Sequence, residues 1–140
     1  MLPHTSIAES ALTSLSAAHP PTAPIFMLNL LRYRPTAAYT APTDLPQVSG
    51  HEAYHARYVP ALRPLMAANG SVPIFLGRVY AALCGPAEGE RWDEVAIVMY
   101  PSVAAFKEMV GSETYKKECE MHRRAALEEW RLVPCERVEL

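Results

Sequence analysis

The sequence lacks the features that define several common classes of protein. Its three cysteines, Cys84, Cys119 and Cys135, are odd in number, far apart and without C-x-x-C spacing. We therefore predict inert, reduced thiols rather than disulfides or a zinc knuckle. No apolar run approaches the roughly 20 residues of a membrane span, and no basic region with a long apolar core begins the chain. We expect a cytoplasmic protein with no membrane partner.

Charge and nucleotide-binding motifs are also scarce. Charged residues make up 20% of the chain and give a formal net charge of −2, which provides no basic surface for nucleic acid. The G-x-G-x-x-G, Walker and G-x-S-x-G patterns do not occur, which argues against nucleotide-dependent and α/β-hydrolase chemistry. We predict no nucleic-acid partner and no cofactor.

The sequence does contain enough apolar residues for one core. Half of its 140 residues are hydrophobic, so one domain of ordinary size is expected. Residues 4–18 place Ile7, Leu12 and Leu15 on one face, which predicts a short amphipathic helix, with a frayed extension as the alternative. We divide the chain into an N-terminal helical extension over residues 1–22 and a domain over residues 23–140.

Strand and helix patterns alternate along this domain. Strands are predicted at Ile25–Tyr33, Ser71–Leu83, Trp92–Tyr100 and Arg131–Val138, and helices at Gly50–Asn69, Val103–Val110 and Glu113–Trp130. We expect a kink or break at Pro60 and Pro64 and a bulge at Gly77. The order β, α, β, β, α, β predicts an α+β, ferredoxin-like fold with a four-stranded antiparallel sheet.

In such a fold both helices cover the same face of the sheet. The opposite apolar face must be buried elsewhere, and a second copy of the chain is the economical solution. We therefore predict a homodimer whose two sheets enclose a cavity.

Several segments resemble one family. The most specific is the strand W-D-E-V-A-I-V-x-Y-P-S, which ends at the helix cap Ser102 and is followed by an Ala-Phe pair and by Tyr115. Other matching segments are Gly50–Tyr58, Asn69-Gly70, His122-Arg123 and Leu127. Over roughly residues 24 to 136 the chain resembles the domain of unknown function 1330 family of the dimeric α/β-barrel superfamily.

The resemblance implies the fold and the dimer. Relatives in the superfamily include small cofactor-free cyclases, isomerases, dehydratases and monooxygenases, as well as haem-dependent enzymes, so fold analogy indicates no single reaction. Polyketide cyclases of the superfamily carry a catalytic His where this chain has Tyr115. A tyrosine is a poor general base at neutral pH, although it can donate a hydrogen bond to an oxyanion.

The segment His51-Glu52-Ala53-Tyr54-His55 fits the H-E-x-x-H pattern. On a helix, residues four apart share a face, so two imidazoles can hold zinc while Glu52 activates water. The motif stands at the start of a helix, lacks any H-x-x-G-x-x-H extension and is followed by a proline. The sequence therefore favours solvent-facing histidines and no metal site, with His51 alone as a possible general base.

Other polar residues interrupt apolar patterns. Asn29 shares a strand face with Met27 and Tyr33, and it is either a structural hydrogen-bond hub or a group aimed at a ligand. His122 follows Tyr115 by two helical turns, so both can line one groove, with a satisfied, semi-buried His as the alternative.

Three further features have structural alternatives. Arg78 lies in a strand and is either exposed, salt-bridged or a ligand for an anion. Met27 and Met99 either line an adaptable apolar cavity or simply pack in the core. Asp93 and Glu94 follow a turn and are expected to bond locally.

These residues support hypotheses of different classes. The preferred hypothesis is a cofactor-free enzyme that cyclises, isomerises, dehydrates or cleaves a small hydrophobic metabolite, carbonyl-bearing or aromatic, in an apolar cavity. Asn29 and Tyr115 would stabilise an oxyanion, and His51 or His122 would move the proton. The substrate-binding candidates are Met27, Tyr33, Arg78 and Met99. The alternatives are a non-catalytic binding protein using the same cavity and a zinc hydrolase.

Overall fold

The computed structural model describes residues 3–140 and contains one four-stranded antiparallel sheet with strand order β2-β3-β1-β4. The strands are β1 (Ile25–Tyr33), β2 (Val72–Arg78), β3 (Glu94–Tyr100) and β4 (Leu127–Cys135). The α-helices are α1 (Glu9–Ala18), α2 (Gly50–Glu52), α3 (Val59–Asn69), α4 (Val103–Gly111) and α5 (Glu120–Ala126), and π-helical segments cover Ala53–Tyr58 and Tyr115–Cys119. The predicted α+β, ferredoxin-like fold is confirmed.

The core lies between the sheet and the helices. Alternate residues of β1 are buried, and Ile25 and Met27 pack against Val103, Phe106 and Met109 at the start and centre of α4. A side-chain period of two places these residues on one face of the strand, as the sequence pattern predicts. The helices therefore cover one face of the sheet and leave the other uncovered.

One predicted helix start and one predicted helix end are confirmed. The Ser102 side chain accepts a hydrogen bond from the backbone N–H of Ala105 at 3.0 Å and caps α4. Gly70 ends α3 with φ of +79°, a conformation in which a side chain is strained. Only Pro101 and Ser102 separate the end of β3 from the start of α4.

The last strand begins earlier than the sequence pattern predicts. We expected a helix to run through Trp130 and a strand from Arg131, whereas β4 starts at Leu127. Leu127 and Trp130 pair with Tyr33 and Leu31 of β1 and are buried with them. The helical spacing predicted from the sequence was wrong here because pairing with the central strand outweighs local helix preference.

The two prolines of the long helical segment do not break it. The chain stays helical from Gly50 to Asn69, and the π-helical segment Ala53–Tyr58 comes directly before Val59 and Pro60. Pro60 has no backbone N–H to donate within this continuous helix, and the π-helical turn stands directly before it. Of the predicted kink or break, the break is absent from residues 50–69, and a π-helical widening stands next to Pro60.

The predicted β2–β3 hairpin forms, but its irregularity is not at Gly77. The register shifts between Pro73 and Phe75, because Pro73 has no N–H to donate to the ladder. A Cβ on Gly77 would lie 2.6 Å from the ring of Phe75. The Phe75 ring, which is 54% exposed, thus occupies the space that a side chain at position 77 would take.

The N-terminal segment is bound to β4 through His4, whose carbonyl accepts a backbone hydrogen bond from Trp130 at 3.0 Å. His4 donates its backbone N–H to Glu129 Oε2 at 2.7 Å and places Nδ1 2.8 Å from Glu129 Oε1. Arg131 donates to the same carboxylate at 3.0 Å. Burial alone would raise the pKa of Glu129, but these hydrogen bonds outweigh it and lower the pKa from 4.5 to about 2.

This depressed pKa makes stability depend on pH. Between pH 4.5 and about pH 2 the Glu129 carboxylate is protonated in the unfolded chain and ionised in the folded chain. The stabilisation of the fold by Glu129 is therefore fully present above pH 4.5 and is lost as the pH falls through about 2. We expect Glu129→Gln to lower the urea midpoint at neutral pH. The difference from the wild type should shrink as the pH falls below 4.5. A difference that stays constant with pH would contradict this role.

No helix within residues 3–140 has the length and apolarity that a membrane crossing requires.

The uncovered sheet face is apolar. Its central side chains are half-buried, and Val72 and Phe75 at its edge are 46% and 54% exposed. This face is the surface for which a partner was predicted.

Candidate active site

Four polar side chains converge where β1 ends and β3 begins. Glu94 pairs with Leu31 across the strands, so its side chain points to the helix-covered face. Its Oε1 accepts a hydrogen bond from the Tyr33 hydroxyl at 2.5 Å and lies 2.7 Å from His55 Nε2. Its Oε2 lies 3.3 Å from His51 Nε2. We call Tyr33, His51, His55 and Glu94 the histidine–glutamate cluster.

The helical segment brings both histidines to Glu94. Ser49 accepts a hydrogen bond from the Glu52 N–H at 3.0 Å and starts the helix, and Gly50 donates to the Arg34 carbonyl at 2.9 Å, which holds that start against the end of β1. Because His51 and His55 are four residues apart, they share a face, and their ring centroids are 4.5 Å apart. The helix end and the strand ends together define the cluster.

Glu52, the middle residue of the H-E-x-x-H pattern, lies outside the cluster. It is exposed, whereas Glu94 occupies the position between the imidazoles. The prediction that Asp93 and Glu94 bond locally was right only in part. Asp93 accepts from nearby Arg91, but it also accepts from the distant Tyr33 backbone N–H at 2.8 Å, and Glu94 contacts residues far away in sequence. His55 is also less exposed than predicted, with 28% of its side chain in contact with solvent.

The cluster carries a carboxylate held in its charged form. Burial alone would raise the pKa of Glu94, but hydrogen bonds from Tyr33 and His55 outweigh it and lower the pKa. Burial, and then the bond to Glu94, raise the pKa of Tyr33 far above its usual value. Glu94 is therefore an anion at neutral pH, and Tyr33 is a hydrogen-bond donor to it.

A pocket of about 440 Å³ opens beside the cluster, a volume typical of small-molecule sites. Its polar lining comprises Tyr33, Arg34, Ser49, His51, Arg78, Asp93 and Glu94, so two carboxylates and two guanidinium groups line it. None of the ion pairs within residues 3–140 involves Arg34 or Arg78. We call this the edge pocket, and its two arginines are available to an anionic group.

Asn29 and Tyr115 do line a common space, the inner cavity between the sheet and the helices. It has a volume of only about 50 Å³, enough for water but far below the size of a metabolite site. Asn29 donates to the carbonyls of Met27 and Ala96, both at 3.2 Å, and accepts from Trp130 Nε1 at 3.0 Å. Of the two roles considered for Asn29, the structure supports the hydrogen-bond hub.

Tyr115 is likewise committed to the interior. Its hydroxyl lies 2.9 Å from the Tyr58 hydroxyl and accepts from Arg123 at 3.4 Å. Burial raises the pKa of Tyr115 despite the lowering by Arg123. It stays a neutral phenol at physiological pH.

His122 does not share a groove with Tyr115. Its Nδ1 lies 2.8 Å from the Tyr39 hydroxyl, in the long loop after β1, and it lines a different surface pocket, with Arg57 and Met121. Burial, followed by the charge of Arg57, lowers its pKa. The helical spacing was correct, but the π-helical segment Tyr115–Cys119 rotates the face between the two residues.

The two methionines face opposite sides of the sheet. Met27 is buried in the core under α4. Met99 pairs with Phe26 and Val72 on the uncovered face. They cannot line one cavity within a single chain.

Glu94 is the site residue that sequence reasoning missed. Its signal was present in the alternation of β3, since Glu94, Ala96, Val98 and Tyr100 form one face and Tyr100 belongs to the core. A carboxylate at the first position of that face must lie at the rim of the core, where it needs partners. The cross-strand register that places it beside Tyr33 was not readable from the sequence.

Solved structures of one protein are similar to the chain over almost its full length. The RPA0582 protein of Rhodopseudomonas palustris, a protein of unknown function, is 36% identical, with 99% of each chain covered and a TM-score of 0.85. Methylated RPA0582 is also 36% identical, with 99% of this chain and 98% of that chain covered and a TM-score of 0.86. No family model and no curated protein matches the sequence. The resemblance to the domain of unknown function 1330 family stays a prediction.

Proposed function

Because the chain belongs to the same family as the R. palustris RPA0582 protein, whose function is unknown, we propose its function from its own edge pocket. The proposal is an enzyme that moves a proton on a small, anionic, carbonyl-bearing metabolite. The observation that carries it is Glu94, a carboxylate 2.7 Å and 3.3 Å from two imidazoles at the wall of a pocket.

The residues have complementary roles in this reaction. Arg34 and Arg78 bind the substrate's anionic group. His51, whose side chain is 59% exposed, accepts the proton from the carbon next to the carbonyl, and Glu94 stabilises the imidazolium that forms. Tyr33 and His55 hold the Glu94 carboxylate in place. Cyclisation, isomerisation, dehydration and lyase cleavage all share this first step.

Proton transfer can be tested without knowing the product. In D₂O, an enzyme of this kind exchanges the proton next to a carbonyl for deuterium, which ¹H NMR detects as a loss of signal. We expect exchange above the buffer rate for at least one of pyruvate, phenylpyruvate and acetoacetate. Exchange at the buffer rate for all three would refute the proposal as stated.

We further propose that the uncovered sheet face forms a homodimer. The supporting observation is its continuous apolar surface, with Phe26, Leu28, Phe75, Ile97 and Met99 on one side of three neighbouring strands. An exposed apolar face of this kind favours a second copy.

The dimer predicts a clear effect of Ile97→Glu. Ile97 lies on the middle of β3, on the uncovered face, so a carboxylate there would be buried without a partner in the dimer. Sedimentation velocity should show a dimer for the wild type and a monomer for the variant. Lys107→Glu, an exposed change on α4, is the control and should stay dimeric. A monomeric wild type at micromolar concentration would contradict the proposal.

One observation favours a second candidate function, non-catalytic binding of a small hydrophobic molecule. An apolar pocket of about 230 Å³ lies between α1 and the sheet, lined by residues that include Leu12, Met27 and Trp130. Saturable quenching of tryptophan fluorescence by 1-aminoanthracene, lost in Leu12→Arg, would support this function. Quenching that never saturates would argue against it.

A further inference from the structure

The histidine–glutamate cluster also has the composition of a metal centre. Within residues 3–140, His51, His55 and Glu94 each offer one ligand atom, and the three atoms all lie within 4.8 Å of one another. We infer that these three residues bind a divalent first-row transition metal ion, of the zinc type. This departs from the sequence-based expectation of no cofactor.

The distances fit such an ion. Two ligands bound at about 2.1 Å in tetrahedral geometry are roughly 3.4 Å apart. In the cluster, Glu94 Oε1 and Oε2 lie 2.7 Å and 3.3 Å from the Nε2 atoms of His55 and His51. The three ligand atoms lie within 4.8 Å of one another, so side-chain rotations would have to bring them closer to enclose one cation. Both imidazoles present the same nitrogen, so neither ring must flip.

The ligand types select the class of metal. Two imidazoles with one carboxylate suit zinc, iron, cobalt or nickel, whereas magnesium and calcium prefer oxygen ligands alone. Three protein ligands leave at least one coordination position free, which is the arrangement of catalytic rather than structural zinc sites. His51 and Glu94 line the edge pocket, so an ion held by them would be reached from that pocket.

Tyr33 supports the carboxylate ligand by a hydrogen bond. Tyr33 donates to Glu94 Oε1 at 2.5 Å and fixes that carboxylate, as outer-shell groups do at metal sites. A carbonyl oxygen entering the pocket would meet the cation and be polarised by it. His51 cannot hold a cation through Nε2 and accept a proton at the same time, so the cation-bound pocket and the metal-free proton transfer proposed above are alternative states of the same residues. Cation binding is measured without any substrate, so the two proposals can fail separately.

The role of Glu94 distinguishes this proposed centre from the zinc site that the H-E-x-x-H motif alone would predict. In that motif the middle glutamate, here Glu52, would activate water, and the third ligand would come from elsewhere. In this chain the third ligand is Glu94, and Glu52 is exposed. The two glutamates therefore form a matched pair for substitution.

The test uses the full chain, freed of metal by dialysis against a chelator, with Co²⁺ and Zn²⁺ as probes. We expect one Co²⁺ per chain with visible absorption bands, displaced by Zn²⁺. His51→Ala and Glu94→Gln should each weaken binding by about 100-fold or more, and Tyr33→Phe by about 10-fold. Glu52→Gln should bind like the wild type.

His51 is more than half exposed, so its replacement by alanine keeps the test valid even if Glu94→Gln impairs folding. Circular dichroism establishes that each variant is folded. Failure of the wild type to bind Co²⁺ at millimolar concentration would overturn the inference. Equal binding by the wild type and a folded His51→Ala variant would also overturn it, because the ion would then be held elsewhere.

Discussion

Replacing Glu94 by Gln is expected to lower kcat/KM for the exchange substrate by about 10²- to 10⁴-fold. The amide has nearly the shape of the carboxylate but carries no charge. It cannot stabilise an imidazolium on His51, and with its oxygen towards Tyr33 and His55 its amide nitrogen would face His51. The measurement is the rate of deuterium incorporation by the purified variant.

The matched control is Glu52→Gln, which removes a carboxylate from the same helix start but from outside the cluster. It should keep the wild-type rate. Equal loss in both variants would mean that overall charge near the helix matters rather than the contact with the histidines. A Glu94→Gln variant with the full rate would remove Glu94 from the reaction.

Substituting Gly50 by Ala is expected to destabilise the fold by about 3 kcal/mol. A Cβ at Gly50 would lie 2.5 Å from the Arg34 carbonyl oxygen and 2.7 Å from the Arg34 nitrogen, and it would also meet the carbonyl of Ala126. These are backbone atoms at the ends of β1 and α5, so they cannot rotate away. The helix start that carries His51 would have to shift.

Urea denaturation with a two-state fit measures this effect. Gly111→Ala is the control, because nothing lies within 4 Å of the Cβ that it would add and Gly111 is the last residue of α4. Alanine there should leave the free energy of unfolding unchanged or raise it by about 0.5 kcal/mol. If the two variants are equally stable, the close approach at Gly50 is not what fixes the helix start.

The sequence predicted the fold well where local patterns were strong. Alternation in β1, the Ser102 cap and the Gly70 turn are all decided by a few neighbouring residues, and each is present in the structure. The start of β4 was not predictable in this way. It depends on pairing with β1, which is distant in sequence, so the helical spacing before Trp130 misled the assignment.

The candidate site was only half predictable. His51 and His55 were identified because their spacing places them on one helical face, and the structure brings them together. Their partner Glu94 lies some 40 positions along the chain, and only the strand register places it opposite them. Asn29 and Tyr115 were predicted as site residues, and they do line one cavity. Its volume of about 50 Å³ depends on side-chain packing, which the sequence pattern does not encode.

The central claim is that the histidine–glutamate cluster, and not the inner cavity, receives the substrate. The most direct measurement is the ¹⁵N spectrum of the histidine side chains during titration with pyruvate, phenylpyruvate and acetoacetate. The edge pocket predicts that at least one of these ligands shifts the signals of His51 and His55 and leaves that of His4 unchanged. Binding that moves the Trp130 indole signal but neither His51 nor His55 would place the ligand inside the fold and contradict the account.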